Sequence, residues 1–168
     1  KKYTSTTGSV AVVPDGVTAI GDGAFSNCPS LVQINIPHSV TTLEACVFQQ
    51  SFDPEAKLTF TVPETVTQVG FASFEQTGLR EIIWNAQTDT MELGMFNLSF
   101  YLEKAVLNDN ICTFGERVFC DCDNLSSVTL PNQLETLGEC AFQNCISLEQ
   151  ITLPDCLTEI SRAAFIGC

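Results

Sequence analysis

Residues 14–36 read PDGVTAIGDGAFSNCPSLVQINI, and residues 131–153 read PNQLETLGECAFQNCISLEQITL. The second stretch is a near copy of the first at the same length: Pro14, Ile20, Phe25, Cys28 and Leu31 have counterparts in Pro131, Leu137, Phe142, Cys145 and Leu148. Phenylalanine carries the period across the chain between them. Phe25, Phe48, Phe74, Phe96, Phe119, Phe142 and Phe165 follow one another at 23, 26, 22, 23, 23 and 23 residues. A second series, Pro14, Pro37, Pro63, Asn85, Asn108, Pro131 and Pro154, keeps the same spacings eleven residues earlier. Two rulers with one period mark a repeat protein. The rungs run over 14–36, 37–62, 63–84, 85–107, 108–130 and 131–153, with a partial seventh at 154–168.

The pattern inside a rung dictates its local structure. Its tail recurs as Leu31/Ile34/Ile36, Leu79/Ile82/Trp84, Leu125/Val128/Leu130 and Leu148/Ile151/Leu153. The last two apolar residues of each tail are two apart and share one face of a short strand. A second extended piece follows each proline turn, at Val17/Ile20, Val40/Leu43, Val66/Val69, Leu134/Leu137 and Leu157/Ile160. The Gly-x-x-Ala-Phe stretch between them is too brief for a full helix and is expected to form a helical turn that drops Phe inward. A coil of this length cannot bury its own apolar face, whereas stacked coils can. Their strands lie parallel at ~4.7–4.9 Å, pair backbone groups between rungs and join the Phe, Leu and Ile columns into one core. The expected fold is an α/β repeat solenoid of about seven rungs of 22–26 residues.

The unit V-T-x-I-G-x-x-A-F-x-x-C-x-x-L resembles the BspA-like, Treponema pallidum-type leucine-rich repeat over residues 14–168, with rungs one, six and seven fitting best. The resemblance implies a right-handed coil with parallel strands on its concave face. It also implies a secreted or cell-surface microbial protein that uses the array for adhesion or protein recognition. Ser9-Val10-Ala11-Val12-Val13 resembles the tail of an earlier unit, and Cys168 falls three residues past the seventh Phe. Solenoids need polar end caps. The chain is therefore expected to be one leucine-rich-repeat unit over residues 1–168, cut from a longer array.

Composition narrows the function classes. The 168 residues carry a net charge of −13 with 45% hydrophobic residues, the mark of a folded acidic domain rather than a disordered tail. A surface this acidic repels phosphate backbones and anionic membranes, which excludes nucleic-acid roles. No apolar run approaches the ~18 residues of a membrane span, and Lys1-Lys2-Tyr3-Thr4-Ser5 leads into no signal-like apolar core.

Nine cysteines sit largely on repeat columns: Cys28, Cys122, Cys145 and Cys168 three residues after the ruler Phe, and Cys46 and Cys140 two before it. Column mates lie about one strand spacing apart but point the same way, so free buried thiols are expected. Zinc is the competing reading, because Cys120-x-Cys122 brings two thiols together in a cysteine-rich C-terminal third. Recurrence at repeat intervals argues against a converging tetrahedral set. His38 follows a turn proline in a slot where other rungs carry Asp15, Glu64, Asn132 or Asp155, which suits a surface substitution rather than a catalytic base. Gly21-Asp22-Gly23 lacks the remainder of a dinucleotide loop and Asp121-x-Asp123-Asn124 that of a calcium loop, so both read as turn chemistry. The carboxylates are spread over exposed slots, and Asn97-Leu98-Ser99 and Asn124-Leu125-Ser126 would be glycosylated only in a eukaryotic secretory host. No catalytic residue, cofactor or metal is expected.

The outward slots of the strand tails form two columns: Gln33, Thr59, Glu81, Lys104, Ser127, Gln150, and Asn35, Thr61, Ile83, Val106, Thr129, Thr152. Short polar residues give way mid-array to Arg80, Ile83, Glu103, Lys104 and Val106, with Trp84 in place of an aliphatic beside them. Arg80, Ile83, Trp84, Lys104 and Val106 are the candidate protein-binding patch. The same rungs depart from the repeat, with three residues added after Phe48 and one removed before Leu79. The fourth rung loses the Val-Thr-x-Ile element and gains Met91, Met95, Phe100 and Tyr101, which first suggest gap filling. The expectation is a non-catalytic interaction or adhesion module that binds an unidentified protein or surface ligand through its sheet face. The alternatives are a structural spacer with binding carried by other domains, or an intracellular scaffold.

Overall fold

A computed structural model describes residues 9–168, so Lys1-Lys2-Tyr3-Thr4-Ser5 lies outside it. The strands run in order as β1 (Ser9–Val12), β2 (Ala19–Ile20), β3 (Leu31–Asn35), β4 (Thr42–Leu43), β5 (Thr59–Val62) and β6 (Gln68–Val69). They continue as β7 (Glu81–Trp84), β8 (Thr90–Met91), β9 (Lys104–Leu107), β10 (Thr113–Phe114), β11 (Ser127–Thr129), β12 (Thr136–Leu137) and β13 (Glu159–Ile160). All pairing is parallel, and each rung bonds to the next. The molecule is a parallel-strand solenoid of about seven turns with a longer-strand face and a two-residue-strand face. Residues 9–12 do behave as a preceding tail, since β1 pairs with β3.

The seven ruler phenylalanines form the expected file. Successive ring centroids lie 5.7, 5.2, 5.5, 5.0, 5.3 and 5.4 Å apart. Phe48 through Phe142 are fully buried. Around the file stand Val40, Leu43, Val66, Leu79, Ile82, Leu125 and Leu137, all inaccessible to solvent. The inserted residues of rung two send Phe52 into this core, with centroids 5.4 Å from Phe48 and 5.6 Å from Phe60.

Three expectations need correction. First, the Phe-bearing stretch is not a helical turn, and the only helical piece among the described residues is a single 3-10 turn at Pro54–Ala56 in the rung-two insertion. In every rung the residues two before and two after the ruler Phe have positive φ, as in Gly23/Asn27, Cys46/Gln50, Arg117/Asp121 and Cys140/Asn144. This alternation sends the amides of those two residues and of Phe itself to the following rung, as in Cys46 N to Phe71 O, Phe48 N to Ser73 O and Gln50 N to Glu75 O. The amides between them close i to i−3 turns, such as Gln49 N to Cys46 O. A helix would keep all its bonds within one rung, whereas this chain forms a third ladder along the stack.

Second, rung four keeps its short strand. Thr88 and Met91 take the places of Val66 and Val69, and β8 pairs with β10. Third, the tail at Leu148, Ile151 and Leu153 is not a strand: residues 149–153 form no ladder with β11, and a cleft of about 380 Å³ lies between them. Glycine is needed where rungs close most tightly. A Cβ at Gly138 would stand 2.3 Å from Gly115 O, and one at Gly70 would stand 2.6 Å from Ala45 N.

Candidate interaction surface

The longer-strand sheet β5-β7-β9-β11 aligns the outward columns across four rungs. Its register places Thr59, Glu81, Lys104 and Ser127 in one row and Thr61, Ile83, Val106 and Thr129 in the other. Gln33 and Asn35 belong instead to the separate β1–β3 pair, opposite Val10 and Val12. Gln150 and Thr152 lie in the unpaired tail.

At the centre, rungs three and four exchange charges in opposite senses. Arg80 Nη1 pairs with Glu103 Oε1, and beside it Lys104 Nζ lies 2.9 Å from Glu81 Oε1. Glu81 Oε2 also accepts from Thr59 Oγ1 at 3.1 Å. The hydrogen bond from Lys104 holds the Glu81 carboxyl below its ordinary value, slight burial opposes it, and the Thr59 hydrogen bond and the Lys104 charge reinforce it. The four charges cancel, so this tile is neutral on a chain of net charge −13. The Arg80 guanidinium also stands 5.8 Å from the Tyr101 ring centroid, and among the described residues its buried Nε has no hydrogen-bond partner.

Four of the five candidate residues lie on this surface: Lys104 is exposed, and Arg80, Ile83 and Val106 are half-buried. Trp84 does not. Its side chain is fully buried, edge-on between Phe74 at 6.2 Å and Phe96 at 6.0 Å. Alternation along β7 dictates this, because Ile82 and Trp84 share the inward face while Glu81 and Ile83 face out. The buried indole N–H donates to Thr88 Oγ1 at 3.3 Å. Thr88 thus replaces the usual aliphatic at the place where a buried donor needs an acceptor.

Sequence reasoning undervalued Phe100 and Tyr101. Met91 and Met95 do fill gaps, being fully buried, but Phe100 and Tyr101 remain 43% and 42% exposed, Tyr101 against Arg80 of the charged tile. Their position after a shared Ser99 slot, outside the alternating tail, was the available signal.

The cysteine column also has a role that composition hid. Cys122, Cys145 and Cys168 each place Sγ 3.1 Å from the carbonyl of Phe96, Phe119 and Phe142 in the preceding rung. Ser99 Oγ donates in the same way to Phe74 O at 3.0 Å, and Ser51 Oγ to Phe25 O. The column selects a small donor, because the turn ladder leaves the Phe carbonyl without a ladder amide from the next rung. Ser51, Thr77 and Ser99 in the same slots could have shown this.

Cys120, Cys122, Cys140 and Cys145 are buried, whereas Cys46, Cys112 and Cys156 are only partly so and Cys168 is exposed. Burial pushes the Cys122 and Cys145 thiols well up, and burial followed by the Asp121 hydrogen bond pushes Cys120 up to about 12. Protonated thiols of this kind are poor nucleophiles and poor metal ligands. Among the described residues no three His, Cys, Asp or Glu side chains converge on a point where a metal would sit. His38 is exposed on its turn. The amides of Asn97 and Asn124 bond to Glu75 Oε1 and Phe100 O. Among the described residues no helix is long and apolar enough to cross a membrane.

A leucine-rich repeat protein from Eubacterium ventriosum is 32% identical and superposes with a TM-score of 0.89 over 99% of this chain and 45% of its own. A leucine rich cell surface protein from Faecalibacterium prausnitzii is 25% identical, with a TM-score of 0.55 over 95% of this chain and 51% of its own. The pneumococcal vaccine antigen PcpA shares the fold at 21% identity and a TM-score of 0.51, over 89% of this chain and 46% of its own. The chain thus spans about half the length of these solved structures. No curated protein matches it. The model described as BspA type Leucine rich repeat region (6 copies) matches residues 3–59 and 50–168. With its seven-fold Phe file and this match over nearly its whole length, the chain belongs to the BspA-type leucine-rich repeat family.

Proposed function

We propose that this chain is a non-catalytic recognition module of a secreted or cell-surface microbial protein, serving adhesion by binding another protein through its longer-strand sheet. The observation that carries the reading is the neutral central tile of Arg80, Glu81, Glu103 and Lys104, flanked by half-buried Ile83 and Val106 and by exposed Tyr101 over Arg80. Partly exposed aromatics and Arg beside apolar residues are the groups that dominate protein interfaces. A net-neutral island also lets a partner approach without opposing the acidic field around it. The cell-surface relative from Faecalibacterium prausnitzii supports the location. Nucleic acid and membrane insertion have no place in this reading.

A second reading, a spacer whose binding partners engage other domains, is favoured by the pairing of all four central charges with one another across the strands. A pull-down from surface extracts with this chain alone separates the two. Recognition predicts a captured protein that Arg80→Ala, Ile83→Ala and Tyr101→Ala each weaken. Binding that survives all three changes would rule out the central patch, and no capture would favour the spacer.

A further inference from the structure

The two-residue strands pair from rung to rung everywhere except between β6 and β8. At the other junctions three donations recur, as in Thr41 N and Thr42 N to Thr18 O and Glu44 N to Ile20 O. Between rungs three and four the corresponding amides of Asp89, Thr90 and Glu92 do not reach Thr67 O or Val69 O. Rung four also lacks the proline turn, and Gln87 N donates to Val66 O at 2.7 Å instead. The rungs rejoin beyond the gap, where Ala72 N donates to Leu93 O at 2.9 Å. The gap is pinned at both ends, and a cleft of about 660 Å³ covers it together with the adjoining strand β4. Among the described residues one lip carries carbonyls and the other amides without backbone partners, and Glu44, Asp89 and Glu92 line the opening.

We propose that this cleft binds a short, extended, basic peptide segment of a partner protein, which enters as an added strand between β6 and β8. Acceptors facing donors across one gap are the complement of a peptide backbone, whose N–H groups meet Thr67 and Val69 while its carbonyls meet Thr90 and Glu92. The cleft volume suits a few residues rather than a folded domain. The three carboxylates at the rim, on a chain of net charge −13, select Lys or Arg at the peptide positions that face outward. This site is on the opposite sheet from the charged tile and stands or falls independently of it.

The test uses a capped pentapeptide of alternating Thr and Lys, its Thr-Glu counterpart, and the Thr-Lys peptide with N-methylated backbone amides. Titration into isotopically labelled protein should shift the amide resonances of Asp89, Thr90 and Glu92 first. The Glu peptide should bind weakly, and N-methylation, which removes the backbone donors, should weaken the Lys peptide roughly tenfold. Asp89→Asn with Glu92→Gln, both at exposed positions, should weaken the Lys peptide while leaving the circular dichroism unchanged. No binding by the Lys peptide, equal binding by its N-methylated form, or shifts scattered over the acidic surface would overturn the proposal, the last two marking simple counterion association.

Discussion

The junction between rungs one and two and the junction between rungs three and four open in opposite places. At the first, the short strands β2 and β4 pair, but the longer strands β3 and β5 part around a cleft of about 280 Å³. There the extra residues of rung two take up the bonding, with Phe52 N donating to Cys28 O and Asp53 N to Leu31 O. At the second, β7 and β9 pair while β6 and β8 part. Both junctions keep the turn ladder, as do the other four. The insertion after Phe48 parts the longer-strand sheet, the altered segment of rung four parts the short-strand sheet, and the Phe-bearing turns keep their ladder at both. The spine of this solenoid is therefore the ladder of left-handed residues with its ring file, and the two sheets are its adjustable parts.

That contrast can be broken most forcefully at the file itself. Phe74→Ala should cost ~3–5 kcal/mol in urea unfolding, as expected for a fully buried ring, while Phe25→Ala, at a half-buried end, should cost less. Equal losses would mean the file is not a shared spine. At the open junction, Thr88→Val should cost ~1–3 kcal/mol by stranding the Trp84 N–H. The same change in a Trp84→Phe background should cost little, and a double-mutant cycle measures the difference.

The turn ladder can be tuned at Arg117, an exposed residue with φ +57°. Arg117→Gly should stabilise by about 1 kcal/mol and Arg117→Val should destabilise by a similar amount or more, because only glycine adopts this conformation without strain. A purely alkaline effect, absent near neutrality, concerns the thiols behind the turns. Their folded-state values are raised above the ordinary 9.0, so the folded chain retains protons that the unfolded chain releases. Stability is fully present below about pH 9 and declines as pH rises beyond it. Melting temperature followed from pH 8 to pH 11 should fall, and Cys122→Ser with Cys145→Ser should flatten that fall at little cost near neutrality.

Much of this was legible in the chain. Phe25 to Phe165 announced the file, and the alternation in Glu81-Ile82-Ile83-Trp84 already held the answer to where Trp84 points, although an exposed aromatic was expected there. Thr88 and Met91 concealed a short strand because neither is a typical strand aliphatic, yet the spacing to Phe96 kept their places. The left-handed pairs were not legible: Cys46, Ala72 and Arg117 carry no common side-chain signal, since what they share is a backbone angle imposed by the rung above. Phe100 and Tyr101 looked like Met91 and Met95 until their exposure separated them.

Period, core columns and family followed from order along the chain, because stacking identical coils demands the same residue at the same step. Which neighbouring strands close and which part did not, because each junction is a contest between ladder bonds and side chains supplied by rungs more than twenty residues apart. The cleft beside β5 therefore exists only in the stacked molecule, where the extra residues of rung two meet a shorter neighbour, whereas beside β8 the facing segments are equal in length and the strands part where rung four has lost the Val-Thr-x-Ile pattern.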